Sequence, residues 1–497
     1  MSKSNDVVTL SLISHTNVGK TTLARTLLRR DIGEVRDQPH VTDLSEAHRM
    51  VRTEEGFILR LWDTPGFGDS ARLLRRLKTS SNPLGWFLTQ VWDRFAERPL
   101  WCSQQAVRNV RDEADVVLYL VNAAEAPESA AYVAMEMEIL EWAGVPVVVL
   151  LNQMGPPKTP AEEAAEVEKW RAHLRRFPFV GEVLSLDAFA RCWVQEGTLL
   201  DAVGKLLPAP KQAAYARLTD AWWGRNLTVF RQSMDRLARP LAAAACDREM
   251  LERGPWKDRL RGLVQSLGAG SPSPVTVERQ AAAALAERHN RNINDTTNEL
   301  IRLHGLSGSA ADEILERLTH YAGNPSLDPE RSALLGGLLG GPLGGLAADI
   351  AAGGLTFGGG TILGFLLGVT GGGGFAKIYN LARGEDSSSL RWPYDDYEGL
   401  LRSALLRYLA IAHFGRGRGD YTQGEHPTFW QEEVKGAVAN YREEIKSVWE
   451  QGKGGTDPDP LARRLEPLLA QCTREVIDKL YPGADRLMSR TTPPHRS

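Results

Sequence analysis

Residues 14–22 read Ser14-His15-Thr16-Asn17-Val18-Gly19-Lys20-Thr21-Thr22, and this stretch decides the fold. An apolar, β-branched run (Val7–Ile13) leads in and a helix-like run (Leu23–Arg30) leads out. Gly19, Lys20 and Thr21 then fall where a phosphate-binding loop places its last three motif residues. The residue types suit the chemistry. A small residue lets backbone N–H groups curl around a β-phosphate, a lysine neutralises the β/γ oxygens, and a threonine hydroxyl ligates Mg²⁺. The positive end of the following helix adds to the cradle. Glycine is usual at the first motif position, where this chain has Ser14.

Working outward, residues 1–208 alternate strand and helix signals, as a doubly wound, mostly parallel α/β sheet requires. Strands are expected over Val7–Ile13, Ala47–Thr53, Phe57–Trp62, Val116–Asn122, Val145–Leu151 and Glu182–Leu186, with a hairpin turn at Glu54-Glu55-Gly56. The third strand runs into Asp63-Thr64-Pro65-Gly66, the spacing of a second metal and γ-phosphate motif. There Asp63 holds Mg²⁺ through water and the Gly66 N–H meets the γ-phosphate. Thr42, in Gln38-Pro39-His40-Val41-Thr42, is the candidate switch I threonine on Mg²⁺, against the plainer reading of a loop threonine.

The pair His-Thr-Asn-Val-Gly-Lys-Thr-Thr and Asp-Thr-Pro-Gly resembles the Era/TrmE-type P-loop GTPases. The resemblance implies a G domain that binds GTP and GDP, hydrolyses GTP with Mg²⁺, and can pair into a nucleotide-dependent homodimer. Phe67 follows Gly66, so the water-positioning glutamine of Ras-like enzymes is absent. Asn17 stands where potassium-activated relatives keep an asparagine beside K⁺, which would assign Lys20, Thr42 and Asn17 to catalysis. Its alternative is an ordinary loop asparagine.

The base-reading motif departs from the pattern. The fifth strand ends in Asn152-Gln153-Met154-Gly155 where the relatives carry Asn-Lys-x-Asp. Glycine accepts no hydrogen bond from guanine, and losing a charged partner costs about 1.5–3 kcal/mol. The base-binding candidates are Asn152 and Gln153 with Ser185, Leu186 and Asp187, the last a replacement carboxylate. GTP is expected by resemblance, and ATP stands as the alternative.

Between Ser70 and Arg111 an insertion carries Trp86, Trp92 and Trp101 among arginines, read either as amphipathic helices on the G domain or as a docking surface. After Pro208 the pattern turns helical. Residues 209–332 form one helical domain, 333–376 a glycine-rich hydrophobic hairpin and 377–497 a C-terminal helical region. Between Ala333 and Ala376 the only formal charge is Asp349. Glycines recur at four-residue spacing, which brings helices backbone to backbone. This hairpin is read either as a membrane-contacting or inserting element or as a buried helical pair. The C-terminal half, through Leu-Thr-Phe-Gly-Gly-Gly (355–360), Tyr379-Asn380 and Arg391-Trp392, resembles a bacterial family in which an Era-type G domain precedes the domain DUF3482.

A net charge of −3 gives no basic surface of the nucleic-acid-binding kind. Cys102, Cys192, Cys246 and Cys472 lie far apart without metal-ligand spacing. The polar N-terminus carries no signal peptide, so a cytoplasmic protein is expected, peripheral or integral at the inner membrane if the hairpin engages it. Two functions follow: a slow GTPase switch acting on a helical effector half, or a nucleotide-binding scaffold with little hydrolysis.

Overall fold

The computed structural model describes residues 4–29, 46–78, 85, 97–154, 158–187, 192–250, 274–306, 389–413, 428–455 and 457–489. The chain divides into two units, one formed by Met1–Thr228, Ala412–Gly424 and Asp478–Ser497, the other by Val229–Ile411 and Glu425–Ile477.

The first unit is built on a six-stranded sheet: β1 (Val7–Ser14), β2 (Glu46–Arg52), β3 (Ile58–Asp63), β4 (Val116–Asn122), β5 (Val147–Asn152) and β6 (Val180–Ser185). The spatial order is β2-β3-β1-β4-β5-β6. All neighbours run parallel except β2, which pairs antiparallel with β3. The hairpin between them closes at Gly56, whose φ of +97° suits glycine. β1, β4 and β5 are almost wholly buried, which explains their unbroken Val/Leu/Ile runs. Because β1 lies between β3 and β4, the chain order reverses at its C-terminal end, where such sheets bind ligands.

Helices α1 (Lys20–Leu28), α2 (Ser70–Leu77), α3 (Arg98–Asp112), α4 (Ala131–Ala143), α5 (Pro160–Leu174) and α6 (Trp193–Leu206) accompany the sheet. The described parts of the insertion follow the packing reading: Leu73, Leu77, Leu100, Val107 and Val110 join the core of the sheet. Trp86 and Trp92 lie outside the described residues.

The rest is mainly helical: α7 (Ala209–Cys246), α8 (Pro274–Leu303), α9 (Tyr394–Ala412), α10 (Thr428–Asn440), α11 (Arg442–Gln451), α12 (Pro458–Leu480) and the short α13 (Ala484–Met488). The unit boundary at Thr228 falls inside α7. α10 and α11 are parted at Tyr441. Tyr441 donates from its hydroxyl to Glu475 on α12, which ties the break to packing. His289 and His304 are buried packing residues, and Cys102, Cys192 and Cys472 are buried free thiols. Among the described residues no helix is long and apolar enough to cross a membrane. The glycine-rich segment 333–376 lies outside them.

Candidate nucleotide-binding site

The loop Ser14–Gly19 leaves the end of β1 and turns into α1. Two residues take left-handed backbone: Asn17 at φ +65°, tolerable for asparagine, and Gly19 at φ +89°. A Cβ on Gly19 would also sit 2.8 Å from the Asn152 amide nitrogen, so glycine is required there twice over. Gly19 caps α1 without any side-chain hydrogen bond. This places the positive end of the helix beside the loop, where an anion is favoured.

Lys20 is buried at the head of α1 and donates from Nζ to Ser14 Oγ at 3.1 Å. Serine at the first motif position thus serves as a rest for the lysine. Burial pulls the Lys20 pKa below the ordinary lysine value, while Asp63 and Glu136 pull it back up. Thr21 donates from Oγ1 to Asp63 Oδ2 at 2.7 Å, joining the two halves of the expected metal site. Burial raises the Asp63 pKa to about 6, against the opposing effects of Thr21 and Lys20. Asp63 Oδ1 is buried without a hydrogen-bond partner. A hydroxyl and a carboxylate are the hard oxygen donors that Mg²⁺ takes. An orphaned oxygen on an undercompensated carboxylate fits a divalent cation at this place.

The loop is stitched to the segment after β3. Phe67 N–H donates to Ser14 O at 2.9 Å and Thr16 N–H to Phe67 O at 3.2 Å. Gly66 lies under the lysine: a Cβ there would come within 3.0 Å of both Lys20 Nζ and Thr16 Cα. Phe67 is fully buried in the core of the sheet. His15 and Thr16 are partly exposed, Asn17 is exposed, and Val18 and Thr22 are buried. Thr42 lies outside the described residues.

At the far end of the loop, Asn152 donates from Nδ2 to Val18 O at 2.7 Å, so its amide braces the phosphate loop. Gln153 has φ +56°. Asp187 accepts from Met154 N–H at 2.8 Å through Oδ2, which brings its carboxylate beside the segment that follows β5. Ser185 Oγ lies 3.3 Å from Glu163 Oε2 and also faces Met154. Burial raises the Glu163 pKa, and Asp187 adds to the rise. Leu186 is buried. Gly155 itself lies outside the described residues.

Sequence reading missed Glu136. It is fully buried on α4, and its Oε1 is 2.6 Å from His15 Nδ1. The signal was a carboxylate inside the apolar stripe Val133, Met137, Leu140, where a solvated face has none.

Residues 9–153 match the family MMR_HSR1, described as 50S ribosome-binding GTPase. With the loop geometry above, this makes the N-terminal part of the chain a P-loop GTPase domain. Among solved structures, a point variant of Aquifex aeolicus Era bound to GDP·AlF4⁻ is similar at 18% identity and a TM-score of 0.29 over 41% of this chain. Era in complex with MgGDPNP and nucleotides 1506–1542 of 16S ribosomal RNA is similar at 16% identity and a TM-score of 0.30, again over 41%. The bacterial selenocysteine-specific elongation factor EF-Sec is similar at 16% identity and a TM-score of 0.26, over 40% of this chain and 28% of its own. The chain spans 57% of the length of each of the two Era structures. No curated protein matches.

Proposed function

We propose that this chain is a guanine-nucleotide switch that hydrolyses GTP slowly with Mg²⁺, its nucleotide state controlling the helical half. The observation that carries the reading is the joined pair Lys20–Ser14 and Thr21–Asp63, with an orphaned Asp63 oxygen between loop and strand end. In this reading the loop N–H groups and Lys20 bind the β- and γ-phosphates, and Gly66 faces the γ-phosphate. Thr21, Asp63 and Thr42 hold the metal. Mg²⁺ supplies neutralisation of phosphate charge when bound. Asp187, held beside Met154, reads the guanine edge in place of the missing carboxylate, and Gln153 covers the base.

Among the described residues no side chain at the site presents itself as a general base, so in this reading turnover rests on positioning and electrostatics. Asn17, exposed on the loop, is the proposed K⁺ contact. The glycine-rich segment 333–376, in a C-terminal half resembling the DUF3482 domain, is the proposed contact with a membrane surface. A nucleotide-dependent homodimer across the switches belongs to the same reading.

Single-turnover phosphate release with Mg²⁺, compared in K⁺ and Na⁺, tests it. Wild-type protein should turn over faster in K⁺, and Asn17→Ala should lose that stimulation while still binding nucleotide. The burial of Phe67 favours a second reading, a nucleotide-binding scaffold, because that residue offers no water-positioning group. Binding without measurable turnover in either salt would select it.

A further inference from the structure

Three polar side chains converge on one buried carboxyl group. Glu136 Oε1 accepts from Ser70 Oγ at 2.6 Å and lies 2.6 Å from His15 Nδ1. Glu136 Oε2 accepts from the Tyr119 hydroxyl at 2.6 Å. These partners come from three different elements. His15 is the second residue of the phosphate loop, Ser70 begins α2, and Tyr119 lies on β4. Glu136, Tyr119 and Ser70 are all buried, and the His15 ring lies against Tyr132 with centroids 4.5 Å apart.

We infer that Glu136 is a positioning residue that couples the phosphate loop to α2, the helix following the γ-phosphate motif, by holding His15 and Ser70 on a single oxygen. This rests on the reading of Ser14–Thr22 as a nucleotide-binding loop, and on neither the identity of the base nor the rate of hydrolysis.

The argument is geometric. Each carboxyl oxygen has two lone pairs, so one oxygen can serve both the loop and the helix without a rotamer change. Short bonds to a charged acceptor are stronger and more directional than neutral ones. A fully buried carboxylate has no water to substitute for a partner that leaves. Movement of Gly66 and Phe67 on phosphate binding would draw on Ser14 and Thr16 through the backbone bonds to Phe67. The His15–Glu136–Ser70 link gives that movement a second route, into the first turn of α2. Asp69, the N-cap of α2, holds φ +40° and accepts from Arg72 N–H, so the helix start is a defined stop that such a link can set. Glu136 also acts on Lys20, whose charge it favours against burial.

The test is hydrogen exchange of the 70–77 amides in full-length protein, free, with GDP, and with a non-hydrolysable GTP analogue, alongside titration of both nucleotides. Wild type should show slower exchange of α2 with the GTP analogue than with GDP. Glu136→Gln and Ser70→Ala should each bind both nucleotides and lose that difference, and Ser70→Thr should restore it by keeping the hydroxyl. A Glu136 that merely fills the core would lower thermal stability and both affinities in parallel, leaving the difference intact, and that result would overturn the inference. If Glu136→Gln does not fold, Ser70→Ala against Ser70→Thr decides alone. Wild-type protein that binds no nucleotide would overturn the loop reading and the inference together. Binding with an α2 response unchanged in the variants would overturn the inference alone.

Discussion

Asp63 ends β3 with one oxygen on Thr21 and the other buried without a partner, and its pKa is raised to about 6. A carboxyl whose folded pKa exceeds its unfolded value of 3.8 stabilises the fold in its protonated form. That contribution is complete below about pH 4 and is lost as pH rises through about 6. At neutral pH the ionised group costs the nucleotide-free protein about 3 kcal/mol. Asp63→Asn should therefore raise the melting temperature of nucleotide-free protein at pH 7 and narrow its difference from pH 5, while abolishing the Mg²⁺ dependence of nucleotide binding. Thermal melts at both pH values, with and without Mg²⁺, check both halves. Gly66→Ala places a methyl 3.0 Å from Lys20 Nζ and Thr16 Cα. It should weaken triphosphate binding more than diphosphate binding, read by parallel titrations. That Lys20, Thr21, Asp63 and Gly66 lie together was legible because they fall in two short motifs at the ends of neighbouring strands. Glu136 and the Asn152–Val18 bond were not, since each joins residues more than a hundred positions apart.

The elements were recovered from periodicity where burial makes a uniform pattern. β1, β4 and β5 read as apolar runs because both faces are covered. The parting of α10 and α11 carries no local signal, since Tyr441 fits a helical pattern and its hydroxyl bonds to Glu475 on another helix. Helix contacts give the second set of consequences. A Cβ on Gly452 would lie 2.3 Å from Ala245 O, a backbone atom that cannot swing aside. Gly452→Ala should destabilise the protein by about 1–3 kcal/mol, the usual cost of overpacking, measured by urea denaturation. On α8, His289 is buried against Trp392, its ring nitrogens lack hydrogen-bond partners, and burial with Arg407 lowers its pKa to about 3. A histidine held neutral in this way contributes stability that is complete above its unfolded pKa of 6.5 and is lost as pH falls toward 3. The full effect is on the order of 5 kcal/mol. His289→Leu should flatten the acid limb of a stability–pH curve between pH 6.5 and 4.

At the scale of the molecule, a mostly parallel sheet places the loop Ser14–Gly19 at its switch point, and the chain passes through a second, mainly helical unit before returning to the first. The class of the first unit could be read from two motifs. The base it prefers could not, because the familiar carboxylate is absent at Gly155 and a candidate replacement, Asp187, comes from a different loop. The measurement that bears most directly on the account is a titration of full-length protein with fluorescently labelled GDP, GTP and ATP in Mg²⁺ and K⁺, repeated with Lys20→Ala and Asp187→Asn. The account predicts guanine nucleotides bound more tightly than ATP, binding lost in Lys20→Ala, and base preference lost with phosphate binding retained in Asp187→Asn. Equal or tighter binding of ATP by the wild type, or binding indifferent to Lys20, would contradict it.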